Sequence, residues 1–272
     1  MKKLLSLALA FTMVLSLGLL AGCSKTETPP ANDNKEDEPS FSTVTKGELT
    51  MSTNAAFPPY EMTDDNGDFV GIDVEIAGLI ADKLGLKLRV DNMDFTAALD
   101  AVQGGRSDIA MAGITVNSER ELVMDFSDSY ATGIQVVIVP ENSDIATIDD
   151  MDGKKIGTQM GTTGYIYCSD TPENGGFGED AVVAYDNGIT AVQNLLNGQI
   201  DCVVIDNAPA QEFVKANPGL KILDTEFANE DYAIGFAKGN TALKDAVNAA
   251  LAELIADGSV QKIIDKYIPA EG

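Results

Sequence analysis

Three observations predict an α/β protein of two lobes, each a mostly parallel sheet flanked by helices, joined by a two-strand hinge. From residue 47 onward, short β-branched or apolar runs alternate with amphipathic helical runs, the order that builds parallel sheets. One local order (helix end, glycine, aspartate, strand, polar loop) occurs twice, as QGGRSDIAMAG at 103–113 and NGQIDCVVID at 197–206, as though one lobe had been duplicated. The chain also crosses between the halves twice in strand-like segments, and two crossings make a hinge with a cleft between the lobes. The boundaries read as 47–132 plus 233–272 for the first lobe, 137–228 for the second, and 133–136 with 229–232 for the hinge.

Ahead of the lobes, residues 1–22 have the form of a signal peptide: Lys2 and Lys3, an apolar run at 4–20, then Ala21-Gly22-Cys23. The LAGC tetrad at 20–23 resembles a bacterial lipobox, which implies cleavage before Cys23 and a lipid on its thiol. An ordinary signal peptide with an incidental cysteine is the alternative. Residues 23–46 hold too little apolar surface to fold and read as a flexible linker carried by that cysteine. The first lobe opens with a strand at 49–54, a Phe57-Pro58-Pro59-Tyr60 loop and a hairpin turn, DDNGD, at 64–68, where Asn66-Gly67 supplies the turn. Val74, Ile76, Ala77, Ile80, Ala81 and Leu84, at near-helical spacing, predict a helix over 73–84 that Gly85 stops. A strand at 87–91, a helix at 95–103 closed by Gly104-Gly105 and a buried strand at 108–112 follow. After a strand at 133–139, the second lobe reads strand 154–159, a Gly/Thr loop entering a helix at 161–167, strand 181–185, helix 187–196, strand 201–205, helix 208–215 and strand 221–223. A strand at 232–237 then returns the chain to helices at 241–256 and 258–267.

Composition removes several functions. The chain carries 43 acidic against 18 basic residues, and losing Lys2 and Lys3 with the leader takes the formal charge from −25 to −27, so nucleic acid and anionic headgroups are repelled. No nucleic-acid partner is expected. With no histidine, the usual general base and the commonest metal ligand are both missing, so neither a metal nor a cofactor is called for. Of the two cysteines beyond the leader, Cys202 lies in an apolar run and reads as a small buried hydrophobe. Sequence alone does not bring it to Cys168.

The most informative stretch is AGITVNSERELVMDFSDSY at 112–130. Arg120 offers a rigid fork of donors that fits the two oxygens of a carboxylate, a fit lysine cannot copy. Ahead of it, Gly113 allows close approach to the backbone and Thr115 adds a hydroxyl, while Asn117-Ser118-Glu119 reads as a turn into a helix start, where free N–H groups favour anions. From these residues alone, a surface arginine paired with Glu119 or Glu121 is an equal reading.

In order and spacing, the motifs resemble the family 3 extracellular solute-binding proteins, the polar amino-acid receptors of bacterial ABC importers. The resemblance runs from about residue 47 to 268 and rests on FPPYE at 57–61, VGIDVEIA at 70–77, SDIAMAGITVNSER at 107–120, DFSDSY at 125–130, GTT at 161–163, VVIDNAPA at 203–210 and LAELIADGSVQKIIDKYI at 251–268. It implies a type II periplasmic-binding-protein fold and a monomeric, lipid-anchored protein outside the cytoplasm that passes a free L-amino acid to the transmembrane subunits of a permease. By position, it implies that Arg120, helped by Gly113, Thr115, Thr162 and Thr163, holds the ligand α-carboxylate, and that Asp206 receives the α-ammonium. Phe57 and Phe95 match positions that sandwich the side chain, and Asn54, Ala112, Gln159 and Met160 are its distal contacts. Phe95 as plain core and Asp206 as a helix cap remain open alternatives. Relatives that take basic side chains often carry aspartate where this chain has Asn54. With Gln159 also uncharged, a neutral polar amino acid is favoured, although Glu61 lies close enough in sequence to bear on this. An enzyme on the same fold, such as a cyclohexadienyl or arogenate dehydratase, and a ligand-sensing receptor component are the rival functions. The preferred reading is not an enzyme, and no catalytic residue is assigned.

Overall fold

A computed structural model describes residues 41–224 and 226–269. The signal peptide at 1–22, the lipidation site at Cys23 and most of the linker lie outside the described residues. The run ELTMST forms β1 (Glu48–Thr53), buried from Leu49 onward because parallel neighbours flank it on both sides. Past the next loop, β2 (Ala56–Phe57), β3 (Glu61–Thr63) and β4 (Phe69–Val70) make a small antiparallel sheet whose second turn is the expected DDNGD. There follow α1 (Ile72–Lys83), β5 (Lys87–Asn92), α2 (Phe95–Gln103), β6 (Ile109–Ala110) and the short α3 (Ser118–Val123), with β5 and β6 parallel to β1 on either side.

The 17-residue β7 (Met124–Pro140) then leaves this lobe. The second lobe holds β8 (Ile156–Gln159), α4 (Thr163–Ser169), β9 (Val182–Tyr185), α5 (Gly188–Leu196), β10 (Cys202–Asp206), α6 (Asn207–Ala216) and β11 (Leu220–Ile222). Finally β12 (Ala228–Ala237) returns, followed by α7 (Thr241–Ala256) and α8 (Ser259–Tyr267). The sheet order is β5-β1-β6-β12-β7-β10-β8-β9, with β11 also on β7. It reads the same from both ends: three parallel strands, one antiparallel crossing strand, its partner, three parallel strands. That symmetry is the structural counterpart of the repeated sequence order.

β7 and β12 are the two crossings, and they pair antiparallel with each other from Ala228 opposite Gln135 to Ala237 opposite Met124. The register slips between Tyr232 and Gly235, which bends and twists the ribbon where the lobes meet. Both strands start earlier than the sequence suggests. In DFSDSY, polar residues break the period-two pattern that marks a strand, and the pairing to β12 holds this segment extended instead.

The apolar residues of α1, α7 and α8 close over the β1 face in the largest core cluster, around Leu49, Met51, Ile76, Ile80, Val247 and Leu251. A smaller second-lobe cluster contains Val137, Ile156 and Val204 together with Cys168 and Cys202, which are unpaired thiols. Burial pushes both thiols up, Cys202 to about 12, so both stay protonated; Cys202 is the small buried hydrophobe expected, and Cys168 joins it.

α1 is docked through its first turn. Its Ile72 and Asp73 N–H groups donate to the Pro59 and Tyr60 carbonyls at 3.1 and 2.9 Å, an approach that requires Gly71 just before them. Gly71 has φ +130°, and a Cβ there would lie 2.2 Å from the Tyr60 carbonyl oxygen. Gly71→Ala is therefore expected to combine backbone strain with a clash against backbone that cannot rotate away, lowering stability in urea unfolding by about 3 kcal/mol or more. A loss under about 1 kcal/mol would mean that the loop is free to shift.

Candidate functional site

Between the lobes lies a narrow cavity with about 310 Å³ free of protein atoms, open solvent at its mouth included. Its wall is made by Asn54, Phe57, Glu61, Phe95, Ala112, Gly113, Thr115 and Arg120 from the first lobe and Gln159, Thr162, Thr163 and Asp206 from the second. The lobes are closed over it. Gln159 Nε2 donates to Asn54 Oδ1 at 3.1 Å, and Arg120 Nη2 donates to the Gly161 carbonyl at 3.1 Å.

Arg120 is buried, so the surface-arginine reading fails. Asn117 caps α3 by accepting from the Arg120 N–H at 2.8 Å, which fixes where the side chain starts. The guanidinium then donates through Nη1 to the Thr115 carbonyl at 2.7 Å and lies 5.4 Å from the centre of the Phe95 ring. Phe95 is thus core and site at once, at the start of α2 with its ring under the cation. Among the described residues, Arg120 has no ion pair within 4 Å.

Across the cavity, β10 ends at Asp206, the cap position of α6, yet its side chain makes no capping bond. The Tyr232 hydroxyl instead donates to Asp206 Oδ1, so the capping alternative fails as well. Burial raises the Asp206 carboxyl, with repulsion from Glu230 adding to it and the Tyr232 and Gln135 hydrogen bonds opposing it; it comes to about 7. Burial pulls Arg120 down, and the negative charges that oppose this are led by Glu230.

Several expected donors are already engaged. The Gly113 N–H donates to Asp73 Oδ2 at 3.1 Å, and the Thr115 hydroxyl donates to Glu230 Oε2 at 2.8 Å. Neither was predicted to serve a protein carboxylate, because these partners lie 40 and 115 residues away in the chain. Thr162 caps α4, accepting from the Tyr165 N–H and donating to the Gln159 carbonyl at 2.8 Å. Met160 stands apart from the predicted set, 45% exposed and outside the cavity wall.

Glu61 lines the wall although it was absent from that set. It is fully buried, no N–H or hydroxyl donor serves its carboxyl oxygens, and its hydrogen-bonding neighbour is the Asp73 carboxylate, to which it donates when protonated. Burial, then the neighbouring Asp73, raise it well above its ordinary value, which favours the neutral carboxyl unless a cation joins it. Asp73 is itself raised to about 6 by burial, although it accepts from the Tyr130 hydroxyl at 2.7 Å and from Gly113. The only sequence signal was a glutamate directly after the FPPY loop.

The cavity thus has a buried guanidinium on one lobe and a buried carboxyl on the other. Residues 49–270 match the bacterial extracellular solute-binding proteins, family 3. The chain belongs to that family. It is 31% identical over 277 residues, all of this chain and 97% of the relative, to a probable histidine-binding protein of Neisseria gonorrhoeae. Among solved structures, it is 39% identical to an ancestral arginine-binding protein bound to glutamine, with a TM-score of 0.76 over 82% of this chain and 99% of the other. The same ancestral protein bound to arginine matches with a TM-score of 0.75, the same identity and the same coverage. The fold of this solute-binding protein is therefore the type II periplasmic-binding fold, and its relatives bind amino acids.

In this solute-binding protein Asp206 costs stability when ionised. Its value is raised from 3.8 to about 7 on folding, so the penalty is absent at low pH, grows between those values and is complete above about 7. Asp206→Asn is expected to raise the melting temperature of the ligand-free protein, and to raise it more at pH 8 than at pH 5. Equal shifts at both pH values would place the titration elsewhere.

Proposed function

We propose that this chain captures a free L-amino acid between its lobes and delivers it to the transmembrane subunits of an ABC permease, as a monomer tethered to the membrane by a lipid on Cys23. The observation that carries the reading is that Arg120 and Asp206, buried charges of opposite sign, face one cavity from opposite lobes. In this reading Arg120 takes the α-carboxylate, with the free N–H groups at the start of α4, where Thr162 and Thr163 sit, joining from the second lobe. Asp206 takes the α-ammonium. Only a ligand with both groups compensates both charges, so its binding favours the closed state over the open one. The division into lobes at 47–132 plus 233–272 and 137–228, bending at 133–136 and 229–232, belongs to the same reading.

For the side-chain end, Asn54 and Gln159 support a neutral polar amino acid, since their amides both donate and accept without demanding charge. Glu61 supports a second reading, a basic side chain, because a buried carboxyl beside a second one, Asp73, can ionise against a guanidinium or ammonium.

A thermal-unfolding panel of the twenty amino acids tests the core of the proposal. A ligand at a hundredfold excess over Kd stabilises by about 2.7 kcal/mol, several degrees at roughly 2–4 °C per kcal/mol. Arg120→Ala and Asp206→Ala are each expected to cost at least about 3 kcal/mol of affinity, since each leaves a ligand charge buried and unpaired. Near-normal affinity in either variant removes that residue from the clamp, and turnover of arogenate or prephenate by the purified protein would favour the dehydratase instead.

Calorimetry at pH 8, in buffers of differing ionisation heat, separates the two side-chain readings. Asp206 is then largely ionised, so a basic ligand releases whatever proton Glu61 still holds, more than a neutral ligand does. Glu61→Gln should abolish that release and weaken arginine far more than glutamine. If wild type prefers glutamine and the variant leaves that preference unchanged, the basic reading is wrong.

A further inference from the structure

Both halves of the charge clamp hang from one face of one crossing strand. Glu230 and Tyr232 are two residues apart on β12 and so project to the same side, where both are buried. Glu230 Oε2 accepts from Thr115 Oγ1 at 2.8 Å and from Gln135 Nε2, on the other crossing strand, at 3.1 Å. The carbonyl of that same Thr115 accepts from Arg120. Tyr232 reaches in the other direction and donates to Asp206. Room for its hydroxyl comes from Gly133 on β7, where a Cβ would lie 2.2 Å from the hydroxyl oxygen. None of Gln135, Glu230 and Tyr232 lines the cavity itself.

We infer that Glu230 and Tyr232 are positioning residues that set, in opposite senses and from a crossing strand, how readily Asp206 carries the negative charge that receives an amino group. The inference rests on the zwitterion reading above. Glu230 is a second buried anion near Asp206 and disfavours its ionisation, whereas the Tyr232 hydroxyl donates to the ionised form and favours it. Asp206 is also faced by Tyr60 and Glu61 from the β2–β3 segment, by Arg120 from α3, by Tyr167 from α4 and by Gln135 from β7. Of these, Gln135 and Tyr167 also hydrogen-bond Glu230, and the amide oxygen in Glu230→Gln can still accept from them. Because the two residues sit on the strand that bends between the lobes, hinge motion and the charge state of the site move together.

Glu230→Gln and Tyr232→Phe keep shape and remove only a charge or a hydroxyl. The full protein and each variant are titrated calorimetrically, across pH, with the amino acid giving the largest thermal shift in wild type. Wild-type affinity is expected to fall on acidification with a midpoint near 7, where Asp206 takes up its proton. The midpoint should move down by at least about half a unit in Glu230→Gln and up by a similar amount in Tyr232→Phe. Loss of affinity at every pH with both midpoints unmoved, or moved the same way, would overturn the inference, since a merely structural role predicts that. If Tyr232→Phe does not fold, the downward movement in Glu230→Gln decides alone. If wild type binds no amino acid, the functional reading fails by itself. The Asp206 titration, followed by carboxyl carbon NMR in the ligand-free protein and assigned with Asp206→Asn, then gives the same two opposed shifts or refutes them.

Discussion

Arg120 and Asp206 are buried on opposite lobes without being paired to each other, and most of the site follows from that constraint. An ion taken out of water costs several kcal/mol even after the protein relaxes, so each must be met by dipoles if not by a counter-ion. Arg120 spends its fork on two backbone carbonyls and an aromatic face, none of which neutralises it. Asp206 is met by a hydroxyl and an amide, again without compensation of charge. Two charges held by dipoles are poised for a partner carrying the complementary pair. The fold supplies this arrangement because parallel strands ending at a cleft put β10 and the β6–α3 loop at its two edges.

Much of the architecture was legible because its signals are local. Helix periodicity from Val74 to Leu84, the glycine stops and the Asn66-Gly67 turn each depend on a few neighbouring residues, and the repeated helix–glycine–aspartate–strand order gave the two lobes. The crossing strands were less legible. DFSDSY carries no strand pattern of its own and is extended only because β12, more than a hundred residues on, pairs with it. Pairing between distant segments leaves little trace in the composition of either one.

The site divides the same way. Arg120 could be read from its neighbours because donor fork, glycine and helix start sit within ten residues. Asp206 and the threonines at 162–163 needed the resemblance to a known family. Glu61 was raised only as an acid that could approach the ligand side chain, and Glu230 and Tyr232 were missed for a physical reason: each acts through a partner far off in sequence, Thr115 and Asp206 in turn. A glutamate in a strand of mixed polarity looks like a solvated face until the fold buries it.

Charge sign points in two directions at the side-chain end, and magnitudes decide between them. A formal charge of −25 attracts cations, but at physiological ionic strength the screening length is only about 8 Å. Exposed carboxylates further than that from the cavity therefore matter little to the bound state, whereas Glu61 and Asp73 are buried and escape most of the screening. Both Asp73 oxygens are taken, by Tyr130 and Gly113, which leaves Glu61 as the group able to respond. Protonated, it can donate to a ligand carbonyl; ionised, it requires a cation. Asn54 and Gln159 accommodate either. In the proposed function, discrimination between a neutral and a basic side chain then rests on the protonation free energy of one buried carboxyl. Neither the number of acidic residues nor the residue type at position 54 reports that quantity, because it depends on how closely the fold brings Glu61 to Asp73.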